Sequence, residues 1–274
     1  MTGTSCERLF METYEINKQY AGIPEVEEFV KNLPTLFETQ GETIFANGRN
    51  MLKTFKILAG HPILEKVVVK RFHARNIFQT IAYSTFTPSK AKRAFQNGLL
   101  LIQHGLDTPE PIAYAEERHG GFLRHCYYLT AFTDAQSVRT ALDVDFNKPL
   151  AKCFAQFIAH LHQQGMVHHD LNFDNVLYQP FSNAQSSIPD YKISVIDINR
   201  LTYHHPNRLT LTDCKDDFVR WTDRKDLLQY VIEEYAKARG LHLQSTLDEV
   251  LRMKAIHDRN WHRRKDFTRK LLKK

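Results

Sequence analysis

Long uncharged hydrophobic runs are missing from this 274-residue sequence. None approaches the ~18 apolar residues that a membrane span requires, so a helical membrane protein is excluded as the reading of the pattern. The first residues, MTGTSCERLFMETYEI, carry acids early and lack an apolar core, so no secretory signal is expected there. Cysteine is sparse: Cys6, Cys126, Cys153 and Cys214 lie far apart, with no C-x-x-C spacing. That excludes a zinc ribbon and a disulfide framework and points to reduced thiols in the cytoplasm. Internal repeats and low-complexity segments are absent. Acid is missing locally as well. No Asp or Glu occurs between Val67 and Leu106, so a lysine early in that span has no carboxylate on the helix that follows it.

Basic charge, by contrast, is concentrated. Residues 252–274 hold ten Lys/Arg against two Asp, a net of +8, whereas the whole chain carries only +6. The other 251 residues therefore sum to −2, and a polyanionic partner is to be met at the tail. A run of this kind is often no more than a solvated helix face. Trp261, Phe267, Leu271 and Leu272 among the basic residues favour docking at a membrane interface over nucleic acid, which is not expected as a partner.

Along the chain, residues 1–35 read as a short helical leader interrupted by Pro24 and Pro34. Apolar alternation from Leu36 to Ile57 around Ala46-Asn47-Gly48-Arg49-Asn50 predicts a hairpin. Val67-Val68-Val69-Lys70 predicts a buried strand. A helix follows from Pro88 to about Gly105, then two strands at Ile112–Glu116 and Phe122–Phe132. Beyond Asp134 the pattern turns helical, most clearly over Pro149–Gln164, with further helices near 224–239 and 245–256. The organisation expected is a leader (1–35), a β-rich lobe (36–132), a helical lobe (133–256) and a basic amphipathic tail (257–274).

The chemistry gathers in VHHDLNFDNVLY, residues 167–178. Asp170 and Asn175 stand five residues apart, and the apolar run Ile193–Ile196 ends in Asp197. Singly, each of these residues suits a turn or a cap. Together they suit one task. The side-chain oxygens of Asn175 and Asp197 can hold Mg²⁺ on the phosphates of a nucleotide, Asp170 can accept a proton from an attacking hydroxyl, and Lys70 can neutralise phosphate charge.

H-x-D-L-x-x-x-N followed by a strand ending in Asp resembles the catalytic and metal loops of the protein-kinase fold, with Lys70 on the matching strand. The details resemble one branch of it, the bacterial lipopolysaccharide kinases. Asn172 stands where protein kinases place a lysine, Ile198-Asn199 follows Asp197 in place of Phe-Gly, and no Ala-Pro-Glu follows. Gly105-Leu106-Asp107-Thr108-Pro109-Glu110-Pro111-Ile112 and the Val-Val-Lys-Arg-Phe around Lys70 are similar to that family too. The resemblance implies an α+β, two-lobed protein-kinase-like fold with a β-rich N-lobe and a helical C-lobe. It implies ATP and Mg²⁺, with Lys70 on the phosphates, Asp170 as base, Asn175 and Asp197 on the metal, and Asn172 placing the acceptor or the γ-phosphate.

The glycine-rich loop is reduced to Asn47-Gly48-Arg49-Asn50, where Gly48, Arg49 or backbone N–H groups are candidates for phosphate contact. Gln96 is the polar residue nearest to filling the place of the helix glutamate that normally pairs with the phosphate lysine. His168 is read as a brace, His169 as non-catalytic, and Arg200 as a salt-bridge residue. The function expected is phosphoryl transfer from ATP to a sugar hydroxyl of 3-deoxy-D-manno-octulosonic acid (Kdo) or heptose in a lipopolysaccharide precursor. The enzyme is expected in the cytoplasm, against the inner face of the membrane. A small-molecule or protein kinase of the same fold, or a catalytically inactive scaffold, are the alternatives.

Overall fold

The computed structural model describes residues 13–47, 50–73, 87–119, 122–181 and 190–272. The chain divides into two compact units, one of residues up to Ile102 plus Thr108–Thr133, the other of Gln103–Asp107 plus Asp134 onward.

The first unit holds strands β1 (Thr13–Ile16), β2 (Glu42–Asn47), β3 (Asn50–Phe55), β4 (Val67–His73), β5 (Pro111–His119) and β6 (Phe122–Ala131), with helices α1 (Pro24–Lys31), α2 (Leu33–Thr39) and α3 (Lys90–Gln103). The strands form one antiparallel sheet in the order β1-β5-β6-β4-β3-β2. In β4 the two-residue period of a strand buries Val67 and Val69 completely and leaves Val68 and Lys70 half-buried. Helix α1 has Pro24 in its first turn, where the missing N–H costs nothing, acids Glu25 and Glu27 at its positive end and Lys31 at its negative end. Its buried face, Val26, Phe29 and Val30, follows helical spacing and joins Phe37, Val69 and Tyr127 in the core.

Two expectations are corrected here. Thr13–Ile16 is an edge strand paired with β5 rather than part of a helical leader. Leu36 lies in a helix rather than a strand, because Leu33, Pro34 and Phe37 bury together as one helical turn and the strand begins only beyond Gly41, at φ +78°.

The second unit holds β7 (Gln136–Ser137), a π-helical turn (Thr140–Val144), α4 (Lys148–Gln163), β8 (Met166–Val167), β9 (Val176–Phe181), β10 (Asp190–Val195), β11 (Thr202–Tyr203), α5 (Lys215–Phe218), α6 (Lys225–Arg239) and α7 (Leu243–Leu272). Asn147 caps α4 by accepting the N–H of Leu150 at 3.0 Å, and leucine, phenylalanine and isoleucine on one face bury it. Gly165 ends the following turn at φ +79°. A Cβ there would collide with the carbonyl of His204, whose N–H donates to the Gly165 carbonyl at 2.7 Å. The close approach lets β8 pair with β11 and sets where the His168 loop begins.

Helix α7 continues through the region expected to be a separate tail. It is anchored by Thr246, Val250 and Met253, one buried stripe; beyond Met253 no described side chain is buried. No helix of the described residues is long and apolar enough to cross a membrane.

Candidate active site

Four of the residues singled out from sequence come together in the second unit. Strands β9 and β10 are antiparallel with Val176 opposite Val195. One step beyond that pair the N–H of Ile196 donates to the Asn175 carbonyl at 3.0 Å, so Asn175 and Asp197 emerge side by side from the same end of the sheet. The Asn175 side chain turns back on the loop and donates Nδ2 to the Asp170 carbonyl oxygen at 2.8 Å. Both Asn175 and Asp197 are half-buried. Asp197 takes a left-handed backbone, φ +60°, and its Oδ1 accepts from Asn199 Nδ2 at 2.7 Å. Non-glycine residues held at positive φ are uncommon and gather where surrounding structure over-determines them.

His168 is fully buried and ties the loop to β10. Its Nε2 lies 3.0 Å from the Ile196 carbonyl oxygen, and its Nδ1 receives the Asp170 N–H at 3.3 Å. Asn172 acts locally. Its Oδ1 accepts the N–H of Asp174 at 2.9 Å, capping the short turn Phe173–Asn175, and its Nδ2 reaches the Asp170 carbonyl at 3.3 Å. His169, at φ +63°, sits between Asp216 and Thr202 with its two ring nitrogens.

The carboxylate of Asp170 is held from both sides. Arg220 Nη1 donates to Oδ1 at 2.7 Å, and Arg200 Nη1 is 3.5 Å from Oδ2. Arg200 thus makes the ion pair expected of it, with the candidate base itself as partner.

Sequence reasoning missed two residues. Arg220 is one. The other is Asp217, which is fully buried and accepts the N–H groups of both His168 and His169, each at 2.7 Å. Its third partner is His162 Nε2 at 3.3 Å; His162 Nδ1 in turn pairs with the Tyr235 hydroxyl at 2.9 Å. Burial would push the Asp217 carboxyl up, but the His162 bond and the histidine backbone bonds hold it below the usual carboxylate value. The signal available in sequence was an acid pair, Asp216-Asp217, set directly before the apolar Phe218-Val219.

Lys70 belongs to the first unit, on β4 between Leu52 of β3 and Tyr128 of β6, with its ammonium 5.0 Å from the Phe72 ring. Gln96 is exposed on α3. Gly48 and Arg49 lie outside the described residues.

For a divalent cation the donor set is a carboxamide oxygen and a carboxylate. Asn175 turns Nδ2 to the Asp170 carbonyl, which makes Oδ1 its acceptor atom. Oxygen donors of this kind fit a hard ion such as Mg²⁺.

Among solved structures the chain is similar to "WaaP in complex with acyl carrier protein", with 14% identity over 92% of this chain and 98% of that one and a TM-score of 0.58. The Rio2 kinase of Chaetomium thermophilum, in its ADP/Mg²⁺-phosphoaspartate complex, is also similar, at 15% identity over 84% of this chain and 75% of that one, with a TM-score of 0.48. No curated protein matches. A β-sheet first unit followed by a helical second one, in the fold of WaaP, is an α+β, protein-kinase-like architecture. The lipopolysaccharide kinase (Kdo/WaaP) family model matches residues 39–215, well over half of the sequence. The chain belongs to that family and is a kinase.

Proposed function

We propose that this kinase transfers the γ-phosphoryl group of ATP to a hydroxyl of Kdo or heptose in the lipopolysaccharide inner core, using Asp170, Asn175, Asp197 and Lys70. The observation that carries the reading is the convergence of Asp170, Asn175 and Asp197 at one end of β9 and β10, locked by the His168 ring.

In this reading the acceptor hydroxyl oxygen attacks the γ-phosphorus, its proton passes to the Asp170 carboxylate, and the bond to the β-phosphate oxygen breaks to leave ADP. Phosphoryl transfer through a loose transition state asks for position and charge neutralisation more than for a strong base. Fixing Asp170 from both oxygens with Arg220 and Arg200 suits that demand. Asn175 and Asp197 would hold Mg²⁺, which supplies positive charge to the phosphate oxygens. Lys70 neutralises the nucleotide phosphates from β4. Asn172, committed to its own turn, positions Asp170 and Asn175 and is not assigned to the acceptor.

The exposed part of α7 brings the enzyme to an anionic glycolipid at the inner face of the membrane. WaaP is described with acyl carrier protein bound, and a protein partner of that kind is the second occupant proposed for this chain, testable by co-elution from a sizing column.

The function is tested by incubating the full chain with Mg²⁺-ATP and purified inner-core glycolipid and weighing the product. A gain of one phosphate is expected, and Asp170→Ala is expected to abolish it. Full activity in Asp170→Ala would overturn the assignment of the base, and no gain with any inner-core acceptor would overturn the substrate class.

A further inference from the structure

We propose that a cavity of about 740 Å³ within the second unit is the acceptor site, and that it takes a sugar carrying a carboxylate or a phosphate, with Arg220 gripping that anion beside Asp170. The inference rests on the kinase reading above and adds to it the acceptor's place and the feature by which it is recognised.

Arg220 belongs to two places at once. It lines the cavity, and its Nη1 donates to Asp170 Oδ1 at 2.7 Å. A guanidinium carries five N–H groups in a fixed plane. The others on Arg220 have no partner among the described residues, and the side chain is one-third exposed. The other cations of the lining are already matched: Arg139 to Asp174 and Asp143, Arg224 to Asp226, and Lys254 to Asp223 and Asp258. Burial and then the nearby Arg220 push the His257 imidazole below its ordinary value. Among the arginines and lysine of the lining, Arg220 is therefore the one with N–H groups to offer an incoming anion, and it is also the one that reaches Asp170.

The lining itself suits a hydroxylated ring. Along α7 the inward stripe is Thr246, Val250 and Met253 while the helix packs on the core. Continued at the same spacing it becomes Lys254, His257, Asp258 and Trp261, and these face the cavity. A helix that only covered the core would carry apolar residues there. Trp221 is 2% exposed and its Nε1–H has no hydrogen-bond partner among the described residues; nor has Asp143 Oδ1. One is an unmet donor and the other an unmet acceptor, both on residues that line this cavity. Buried polar atoms are rarely left so; neither atom is open to the cavity, and each lies behind its wall.

The test uses the chain's own fluorescence. It has two tryptophans, Trp221 and Trp261, and both line the cavity, so emission is sensitive to its occupation. The full chain, without nucleotide, is titrated with free Kdo, with a heptose phosphate and with unphosphorylated heptose. A saturable change with Kdo, with heptose phosphate or with both is expected, and the pattern tells carboxylate from phosphate recognition; neutral heptose should do nothing over the same range. Arg220→Gln should raise the half-saturation concentration by at least about tenfold, as loss of a charged hydrogen bond does, and Arg220→Lys should restore part of it. In turnover, Arg220→Lys should raise KM for the glycolipid with KM for ATP unchanged.

No emission change with either acidic sugar, an equal response to neutral heptose, or Arg220 variants that bind as wild type would each overturn the proposal. If wild type still phosphorylates the glycolipid in that case, the site is wrong and the kinase reading stands. If wild type shows no transfer at all, both fall.

Discussion

The Nε2 atom of His168 stands 3.0 Å from the carbonyl oxygen of Ile196. A carbonyl can only accept, so Nε2 carries the ring proton and Nδ1 is left to accept the N–H of Asp170. The imidazole is thus a strut with one foot in the catalytic loop and the other immediately before Asp197. It fixes the spacing between the candidate base and the candidate metal ligand.

Replacing His168 by Phe keeps an aromatic ring and removes both feet, leaving the part-buried Ile196 carbonyl and Asp170 N–H without that partner. Such groups cost on the order of 1–3 kcal/mol each, readable as a lowered urea midpoint. The larger effect is expected in turnover, because a misplacement of about 1 Å at a reacting centre costs about 100-fold. The prediction is a fall in kcat with little change in KM for ATP. Wild-type kcat in a folded His168→Phe protein would show that the strut does not set Asp170.

Asp217→Asn removes the charge that accepts two backbone N–H groups and inserts an amide whose NH₂ confronts one of them. Hydrogen bonds to a charged group of this kind contribute about 1.5–3 kcal/mol each. His169, at φ +63°, loses what holds it in that conformation. Thermal melting and phosphate transfer are both expected to fall sharply. A stable Asp217→Asn protein with full activity would refute the role assigned to Asp217.

How much of this was legible beforehand depends on the range of the interactions. The H-x-D-L-N-x-x-N loop, the valine strand carrying Lys70 and the apolar run ending in Asp197 declare themselves through local spacing and propensity, and helix α4 through its 3.6-residue period. Asp217 and Arg220 do not, because their partners lie about fifty residues away: 49 for the His168 bond and 50 for the Asp170 bond. Leu36 was misread as strand because a two-turn helix is too short to show its period. Thr13–Ile16 was misread because an edge strand is fixed by its partner, β5, rather than by its own sequence. The extension of α7 to Leu272 was hidden by charge. Its inner face past Met253 lines a cavity, so the apolar stripe that marks an amphipathic helix stops there.

His162 predicts a pH dependence. It is fully buried; burial pushes its imidazole below the ordinary 6.5, against the pull of Asp217. A base whose folded value is depressed takes up its proton first in the unfolded chain. Its contribution to stability is therefore whole above pH 6.5 and is lost as pH falls from there toward the folded value, with a slope of at most about 1.4 kcal/mol per pH unit. Asp217 acts lower, its contribution being whole above 3.8 and lost only as pH falls through its depressed folded value. Urea midpoints measured from about pH 7.5 down to about pH 5 should decline, and His162→Gln should flatten that decline. An equal decline in His162→Gln would assign the titration to other groups.

The membrane docking proposed for the outer part of α7 is tested through its charges. Arg259, Arg263, Arg264, Lys265 and Arg269 are all exposed on it, with Ile256 38% and Trp261 50% exposed beside them. Cations interleaved with apolar side chains suit the headgroup layer of an anionic membrane. Each basic residue near such a surface contributes about 1 kcal/mol, so Arg263, Arg264 and Arg269 changed together to Gln should weaken binding to anionic liposomes on the order of 100-fold. None of the three lines the cavity, so transfer to a detergent-solubilised acceptor should persist. Raising salt should erase the difference between wild type and the triple variant, because screening shortens the reach of all these charges. Liposome flotation across a salt series measures both. Binding that ignores salt and survives the triple substitution would mean that the helix meets something other than an anionic surface.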